Sequence, residues 1–166
     1  MATTRVAPEF MELRQEAELT AASQMGDRAS FMKLVAHYHR SIYRLAYGLC
    51  RRDDEAASLT EETFARAWSD IAEYPSGRRF FPWILRILKN LPRKVAPAGA
   101  EAEDTLVSRI GALRNEDRLA LALRVVEGFG YQDIAALLDV PTGIVILRIA
   151  QARGSLLTGN PEGRPA

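Results

Sequence analysis

The sequence has one cysteine and two histidines in 166 residues. The single cysteine, Cys50, excludes an internal disulfide framework and a zinc site built on cysteines. It closes an apolar helical pattern, so we expect a buried structural thiol. His37 and His39 alone offer little for a metal site or a histidine-activated nucleophile. Since no convergent acid–base pair is visible either, we expect no catalytic residue, metal, cofactor or small-molecule substrate.

Long hydrophobic runs and strand-like alternation are also missing. No apolar run approaches the ~18 residues of a membrane helix, and no secretory signal is recognisable. We therefore expect a cytoplasmic protein without membrane insertion. Because alternating polar and apolar residues are absent, both halves of the chain are predicted to be helical. The net charge is only +1, so the total charge does not indicate a nucleic-acid binder.

The patterns that are present predict an all-α fold of two small helical domains joined by a linker. Apolar residues recur at helical spacing from Phe31 to Leu49, behind a break and N-cap signal at Gly26 and Asp27. The stretch "FFPWILRILKN" predicts another helix, with Pro82 tolerated in its first turn. The predicted divisions are an acidic arm or helix at 1–25, a first domain at 26–94, a linker at 95–104, a second domain at 105–157 and a disordered tail at 158–166.

Basic residues are concentrated near the end of the first domain. From Arg78 to Lys94 the chain has six basic residues and no acidic one, interleaved with Phe80, Phe81 and Trp83. Cations for phosphates and flat rings for unstacked bases are what single-stranded nucleic acid requires. The alternative is a solvated basic face above an aromatic core anchor. The pattern alone leaves both interpretations open.

The second domain contains a helix-turn-helix pattern around the turn Asp139–Pro141. A non-DNA-binding pair of helices is the alternative. The outer positions Ile144, Ile146 and Leu147 are apolar, whereas a helix that faces DNA is usually polar or basic there. The residues predicted to face inward are Ile134, Ala135, Leu138, Val145, Ile149, Ala152 and Leu156.

Both halves resemble the sigma factors of bacterial RNA polymerase, specifically the small extracytoplasmic-function (ECF) group. The first half resembles them in "GDRASFMKLVAHYHRSIYRLAYGL", "EETFARAW" and "PWILRILKN". The second half resembles them in "LALRVVEGFGYQDIAALLDVPTGIVILRIAQAR". The resemblance implies a protein that binds the β and β′ subunits of core polymerase, directs it to promoter DNA and is controlled by an anti-sigma factor. It implies neither catalysis nor a cofactor.

The resemblance assigns three sets of residues. The core-polymerase set is Glu55, Leu59, Glu61, Glu62, Phe64 and Trp68. The set for the downstream promoter element is Tyr74, Arg78, Arg79, Trp83, Arg86, Lys89 and Asn90, with a base-capturing loop at 74–79. The set on the second helix of the helix-turn-helix is Thr142, Arg148, Gln151 and Arg153.

The sequence departs from the family pattern in both domains. Ala57 and Ser58 replace the family's usual acidic pair, and Phe81 and Pro82 replace polar residues. On the helix that reads the upstream element, the family usually has Thr, Lys and Ser at the positions of Ile144, Ile146 and Leu147. Each lost base contact can cost ~1–3 kcal/mol, although a thymine methyl can accept an apolar neighbour.

Three interpretations remain open for this apolar patch. In a working sigma factor it reads a T-rich element or docks an anti-sigma protein. In a degenerate sigma-like regulator it binds a protein partner without promoter reading, because contiguous apolar patches usually mark interfaces. In a compact, self-inhibited molecule it is buried against the first domain or the N-terminal helix.

Overall fold

The computed structural model describes residues 10–92 and 106–158, with only the backbone at 106 and 107. The predicted linker, the start of the N-terminal arm and the tail after 158 lie outside these ranges. No helix in the described ranges is long and apolar enough to cross a membrane. The described residues form a 3₁₀ turn at Ile71–Glu73 and the helices α1 (Leu13–Gln24), α2 (Arg28–Cys50), α3 (Asp53–Ser69), α4 (Phe80–Asn90), α5 (Leu106–Ala112), α6 (Asn115–Val125), α7 (Tyr131–Leu138) and α8 (Thr142–Thr158).

The long helix α2 organises the molecule. It begins where the sequence predicts, because the Asp27 carboxylate accepts a hydrogen bond from the Ala29 N–H at 2.9 Å and another from Ser30 Oγ at 2.7 Å. Gly26 precedes this cap with φ of +89°, a conformation that side chains rarely adopt. The apolar stripe of α2 is buried at Phe31, Leu34, Tyr38, Ile42, Leu45 and Leu49.

The first domain is built from α1, α3 and α4 around α2. Phe80 and Phe81 of α4 have no exposed surface, so these two rings are core anchors and cannot stack on nucleic acid. The nucleic-acid interpretation of the basic–aromatic stretch is therefore wrong for these two rings, which have the core role of the alternative interpretation. Cys50 is half-buried and packs against the core, rather than fully buried as expected.

The second domain has the predicted helix-turn-helix. Helix α7 ends at Leu138, its C-cap Asp139 has the left-handed conformation with φ of +54°, and α8 begins after Pro141. Val145, Ile149 and Ala152 are buried as the spacing predicts. The exception is Leu156, which is only half-buried. The residue before it, Ser155, takes the inward position instead.

The two domains pack together on α2. Helix α6 of the second domain lies against α2, and α7 lies against α4. The buried apolar residues of both domains form one continuous cluster, which includes Leu45 of the first domain and Leu123 of the second. The surfaces of the two domains therefore have to be considered together.

Candidate polymerase and nucleic-acid surfaces

The helix α4 is anchored by a buried carboxylate on α1. Glu16 is 1% exposed, and its Oε1 accepts a hydrogen bond from the Phe80 N–H at 2.9 Å. Its other oxygen accepts a hydrogen bond from the Tyr38 hydroxyl. Burial, followed by the bond to Glu16, raises the pKa of Tyr38. Because the first N–H groups of a helix have no partner within it, this carboxylate fixes where α4 starts.

The loop that precedes α4 is held from inside and from the N-terminal arm. The Tyr74 side chain is buried, and its hydroxyl donates to the carbonyl of Arg78. Burial raises the pKa of Tyr74 to about 12. Arg79 donates from Nη1 to the carbonyl of Met11 at 2.7 Å and lies over the ring of Phe10. Tyr74 and Arg79 are therefore engaged within the protein in this conformation.

All the residues assigned to the downstream element except Tyr74 line an open cleft between the domains. The cleft has a volume of about 890 Å³. Trp83 is half-buried with its ring edge-on to Tyr74, at 5.2 Å between centroids. The opposite wall comes from the helix-turn-helix, including Asp139, Val140 and Arg148. The assigned residues that the structure brings together here are Arg78, Arg79, Trp83, Arg86, Lys89 and Asn90.

The outer face of α8 is apolar and exposed. Ile144, Ile146 and Leu147 are 38%, 50% and 51% exposed, so they are not buried against the first domain or the N-terminal helix. Among the polar residues assigned to this helix, Arg153 is exposed and Thr142 is half-buried.

Two further polar side chains of α8 are held by the start of α6. Arg148 is paired with Glu116, and Gln151 accepts a hydrogen bond from Arg114 at 3.3 Å. A helix that reads bases keeps its donors free for base edges. In this conformation α8 therefore presents few polar side chains that could contact base edges.

The residues assigned to core-polymerase binding divide between core and surface. Leu59 and Phe64 are buried, and the ring of Trp68 packs on Phe31 at 5.0 Å between centroids. Leu59 and Phe64 therefore support α3 from below and do not form its outer surface, whereas Trp68 is half-buried. Glu61 and Glu62 are exposed. Glu55 is half-buried, with its carboxylate 3.6 Å from Arg52.

Several residues at the domain boundary were missed by the sequence reasoning. Arg44 and Arg118 each donate across the boundary to a backbone carbonyl of the other domain. Phe129 lies between the domains, and its ring is within 6.0 Å of the Phe81 ring. The sequence indicates these residues only weakly. Phe129 stands between two glycines, and Arg44 and Arg118 lie on helices that have other polar residues.

The described residues contain no group of three or more histidine, cysteine, aspartate or glutamate side chains that could hold a metal ion. The fold and these surfaces define a two-domain helical protein whose second domain is a helix-turn-helix and whose first domain has a basic, tryptophan-containing face. Two family models match the chain: sigma-70 region 2 over residues 34–94 and sigma-70 region 4 over residues 104–156. Together they cover more than half of its length. The chain therefore belongs to the sigma-70 family of RNA polymerase sigma factors, in its ECF group.

Known sigma factors are similar to this chain over most of its length. The RNA polymerase sigma-H factor of Pseudomonas aeruginosa is 26% identical, with 86% of this chain and 92% of that protein aligned. The ECF sigma factor SigW of Bacillus subtilis is 28% identical, with 79% and 89% aligned. The ECF sigma factor SigE of Mycolicibacterium smegmatis is 32% identical, with 79% and 63% aligned.

Two solved structures have a similar fold. CnrH, in complex with the cytosolic domain of CnrY, has a TM-score of 0.65 at 22% identity, covering 86% of this chain and 95% of CnrH. The sigma factor RpoE of Bartonella quintana, in complex with the anti-sigma factor NepR, has a TM-score of 0.57 at 23% identity, covering 76% and 93%. At this level of identity the likeness concerns the fold.

Proposed function

We propose that this ECF sigma factor binds core polymerase through the outer face of α3 and engages the downstream promoter element through α4 and the loop before it. It acts as a transcription initiation factor and not as an enzyme, and its work with the polymerase takes place in the cytoplasm. Its partners are the β and β′ subunits, promoter DNA and an anti-sigma factor. The observation that carries this proposal is the clustering of Arg78, Arg86, Lys89, Trp83 and Asn90 along one cleft wall.

The chemistry of that wall suits melted DNA. Arginine and lysine neutralise phosphates, and a half-exposed tryptophan offers a stacking face to an unstacked base. Asn90 is exposed next to Lys89 at the end of α4, where its amide can both donate to and accept from a base edge. Glu16 fixes the start of α4, so these side chains project from a rigid helix.

The α3 surface supports a weaker form of the family's electrostatic docking. Glu61 and Glu62 are exposed side by side, with Ala57 and Ser58 exposed one turn earlier in place of charges. Two carboxylates can steer the helix toward a basic surface of the polymerase, and that steering weakens as salt is added.

A second candidate function is favoured by the observations on α8. Its three outer apolar residues are exposed, while Arg148 and Gln151 are bonded to α6. In that case the chain docks a protein on the second domain, for example an anti-sigma factor, and does not read an upstream element.

One experiment separates the two functions. Purified chain is mixed with core polymerase and a promoter library, and the transcripts are sequenced. We expect core binding and sequence-selective initiation. Core binding without any selective transcript would favour the second candidate and end the first. If core binding is absent as well, the first candidate also ends, and a pull-down of a protein partner then tests the second.

A charge-reversed variant locates the docking surface. Replacing Glu61 and Glu62 together by arginine is expected to weaken core binding about tenfold or more, because the steering charge changes sign. The matched control reverses two exposed acids of the N-terminal region, Glu12 at the N-cap of α1 and Glu18 on α1. Equal losses in both variants would mean that net charge, and not the α3 face, determines the affinity.

A further inference from the structure

The loop 74–79 stands away from α1 at its tip. A recess of about 520 Å³ lies between the two, and Ser76, Gly77 and Arg78 line it on the loop side. These three residues are exposed. An added Cβ atom at Gly77 would meet no atom of the described residues within 4 Å, its chain neighbours aside. The position of the tip therefore depends on how the two ends of the loop are attached.

The turn inside the loop is closed by the loop's own groups. The Arg78 N–H donates to the carbonyl of Pro75 at 3.3 Å, as in a four-residue β-turn. Gly77, at the third position of this turn, has φ of +81°, which suits the type II turn and favours glycine. The Tyr74 hydroxyl donates to the carbonyl of Arg78. The turn is therefore tied to the buried side chain of Tyr74.

Both ends of the loop are attached to α1 or to the residues just before it. At the far end, Arg79 donates to the carbonyl of Met11, and the Glu16 carboxylate holds the first N–H of α4. At the start, Gln24 Nε2 donates to the carbonyl of Tyr74 at 2.9 Å. This bond is partly buried and joins residues 50 positions apart in the chain. Gln24 therefore attaches the start of the loop to α1.

Gln24 has a rigid support. It is the last residue of α1 and is half-buried. The chain turns directly after it, where the Gly26 N–H donates to the carbonyl of Ser23 and the Asp27 N–H donates to the carbonyl of Ala22. Asp27 is also the N-cap of α2. The backbone of Gln24 is therefore fixed relative to both α1 and α2.

We propose that Gln24 is a positioning residue for promoter recognition: its bond to Tyr74 sets the place of the loop tip over α1 and thereby the selectivity for the unpaired base that meets the loop. The inference rests on the role proposed for α4 and the loop before it. Stacking on Trp83 is tolerant of sequence, because every base has a flat face. Selectivity requires hydrogen-bonding groups held in fixed places opposite the base edge. A suspended loop provides such places only while its attachments hold.

Three variants isolate the donor of Gln24. Gln24→Met removes the donor and keeps an unbranched, uncharged side chain of similar length. The matched control is Gln15→Met, at an exposed glutamine of the same helix. Gln24→Lys keeps a donor at the end of a long side chain, so it is expected to retain the wild-type behaviour. Circular dichroism verifies that each variant keeps its helices.

The first measurement is hydrogen exchange of the loop 74–79 in the full chain without polymerase, followed by mass spectrometry. The loss of one neutral hydrogen bond is expected to speed exchange in this loop roughly two- to tenfold in Gln24→Met. The central turns of α2 and α4 are expected to exchange as in the wild-type chain, and so are all segments of Gln15→Met and Gln24→Lys. Unchanged exchange of the loop in a folded Gln24→Met variant would overturn the positioning role.

The second measurement is base selectivity, with core polymerase and a promoter library randomised across the melted element. In the wild-type complex we expect one position at which the preferred base is selected about tenfold or more over the others. In Gln24→Met the preference at that position is expected to fall below about threefold, while the preferences at other positions stay unchanged. A merely structural role would lower all transcripts together and keep the ratios. That result, or an equal loss of preference in Gln15→Met, would overturn the selectivity role.

Failure of the proposed function and failure of this inference give different results. If the wild-type complex shows no selective transcription, the proposed function ends together with the selectivity role of Gln24. The exchange data then still decide whether Gln24 holds the loop. If selective transcription is present and its preference at the one position survives in Gln24→Met, the inference ends and the proposed function stands.

Discussion

The helices α4 and α8 are the two elements to which the family resemblance assigns promoter DNA, and in this protein they differ in surface and in anchoring. Helix α4 carries Trp83, Arg86 and Lys89 on the cleft wall, and the buried carboxylate of Glu16 holds its first turn. The outer face of α8 carries isoleucine and leucine. Arg148 of α8 is paired with Glu116, whose side chain is 56% exposed.

This difference shows that the two domains retain different parts of the family's chemistry. The first domain has both the scaffold and the residues proposed to read promoter DNA, since its cations and the Trp83 ring project from a fixed helix. The second keeps the scaffold of a helix-turn-helix, with Val145 and Ile149 in the core. Its reading surface, however, is replaced by an apolar one. Four predictions, from the largest expected effect to the smallest, test this contrast.

Glu16→Ala tests how firmly α4 is anchored. The variant removes the acceptor for the Phe80 N–H and leaves the buried Tyr38 hydroxyl without its partner. We expect a loss of about 2–4 kcal/mol in the free energy of unfolding, measured by urea denaturation. The control Glu18→Ala breaks only an exposed pair with Arg14 and is expected to change it by less than about 1 kcal/mol. Similar losses in both variants would contradict the anchoring role.

The combined variant Arg86→Ala and Lys89→Ala tests the α4 surface. We expect promoter-directed transcription to fall roughly 10–100-fold, because two phosphate-neutralising cations are removed. The slope of log K against log salt for promoter binding by the polymerase complex is expected to flatten by about 2. The control removes two cations elsewhere in the domain, Arg14 and Arg28. An unchanged salt slope would show that the α4 cations do not contact phosphate.

The combined variant Ile146→Lys and Leu147→Ser tests the α8 surface. Both residues are about half exposed, so we expect the free energy of unfolding to change by no more than about 0.5 kcal/mol. Binding of an anti-sigma or other protein recovered by pull-down is expected to weaken about tenfold, since an apolar contact is lost. The control is Leu157→Ser at the far end of α8. Weaker binding to upstream promoter DNA by a folded variant would instead show that the apolar face reads bases.

Glu127→Gln tests the electrostatics of the domain boundary and is expected to have the smallest effect. Glu127 is 2% exposed and lies 3.4 Å from Arg44. Burial raises the pKa of this carboxyl above its ordinary value of 4.5, and Arg44 only partly offsets the shift. The folded protein therefore holds the proton of Glu127 more tightly than the unfolded chain does. The stabilisation that this proton gives is present at low pH and is lost as the pH rises through the raised pKa.

Glutamine resembles the protonated carboxyl at every pH. We expect Glu127→Gln to raise the melting temperature slightly at pH 7 and to match the wild-type chain near pH 4. Measuring the melting temperature across this range checks the sign. A less stable variant at pH 7 would mean that the ion pair with Arg44 outweighs the cost of burying the charge.

The sequence predicted local structure well where one short pattern was sufficient. Asp27 caps α2, Tyr131 begins α7, and "FFPWILRILKN" spans α4, because capping and helical periodicity depend on neighbouring residues. Phe80 and Phe81 were harder to place. Their aromatic character suits either stacking on a base or packing in a core, and only the position of α4 on α2 selects the core.

The candidate site follows from the sequence as a proposed set of residues, and its arrangement does not. The cations and Trp83 of α4 follow from the sequence and do line one wall. The sequence could not show that Tyr74 and Arg79 are instead engaged within the protein. The Tyr74 hydroxyl donates to the carbonyl of Arg78, and Arg79 donates to the carbonyl of Met11 in the N-terminal arm. The role of Glu16 was equally hidden, since an acid on an acidic helix appears solvated until α4 is placed beside it.

The sequence by itself therefore determined the helices, the helix-turn-helix, the family and the apolar character of the α8 face, because each depends on residue types at short and regular spacing. The tertiary structure decided that the domains pack on α2 and that the α4 wall faces the second domain. These contacts join residues far apart in the chain, such as Gly48 with Ala122 and Phe10 with Phe129. No local pattern encodes such pairs, because their energy arises only when the helices are brought together.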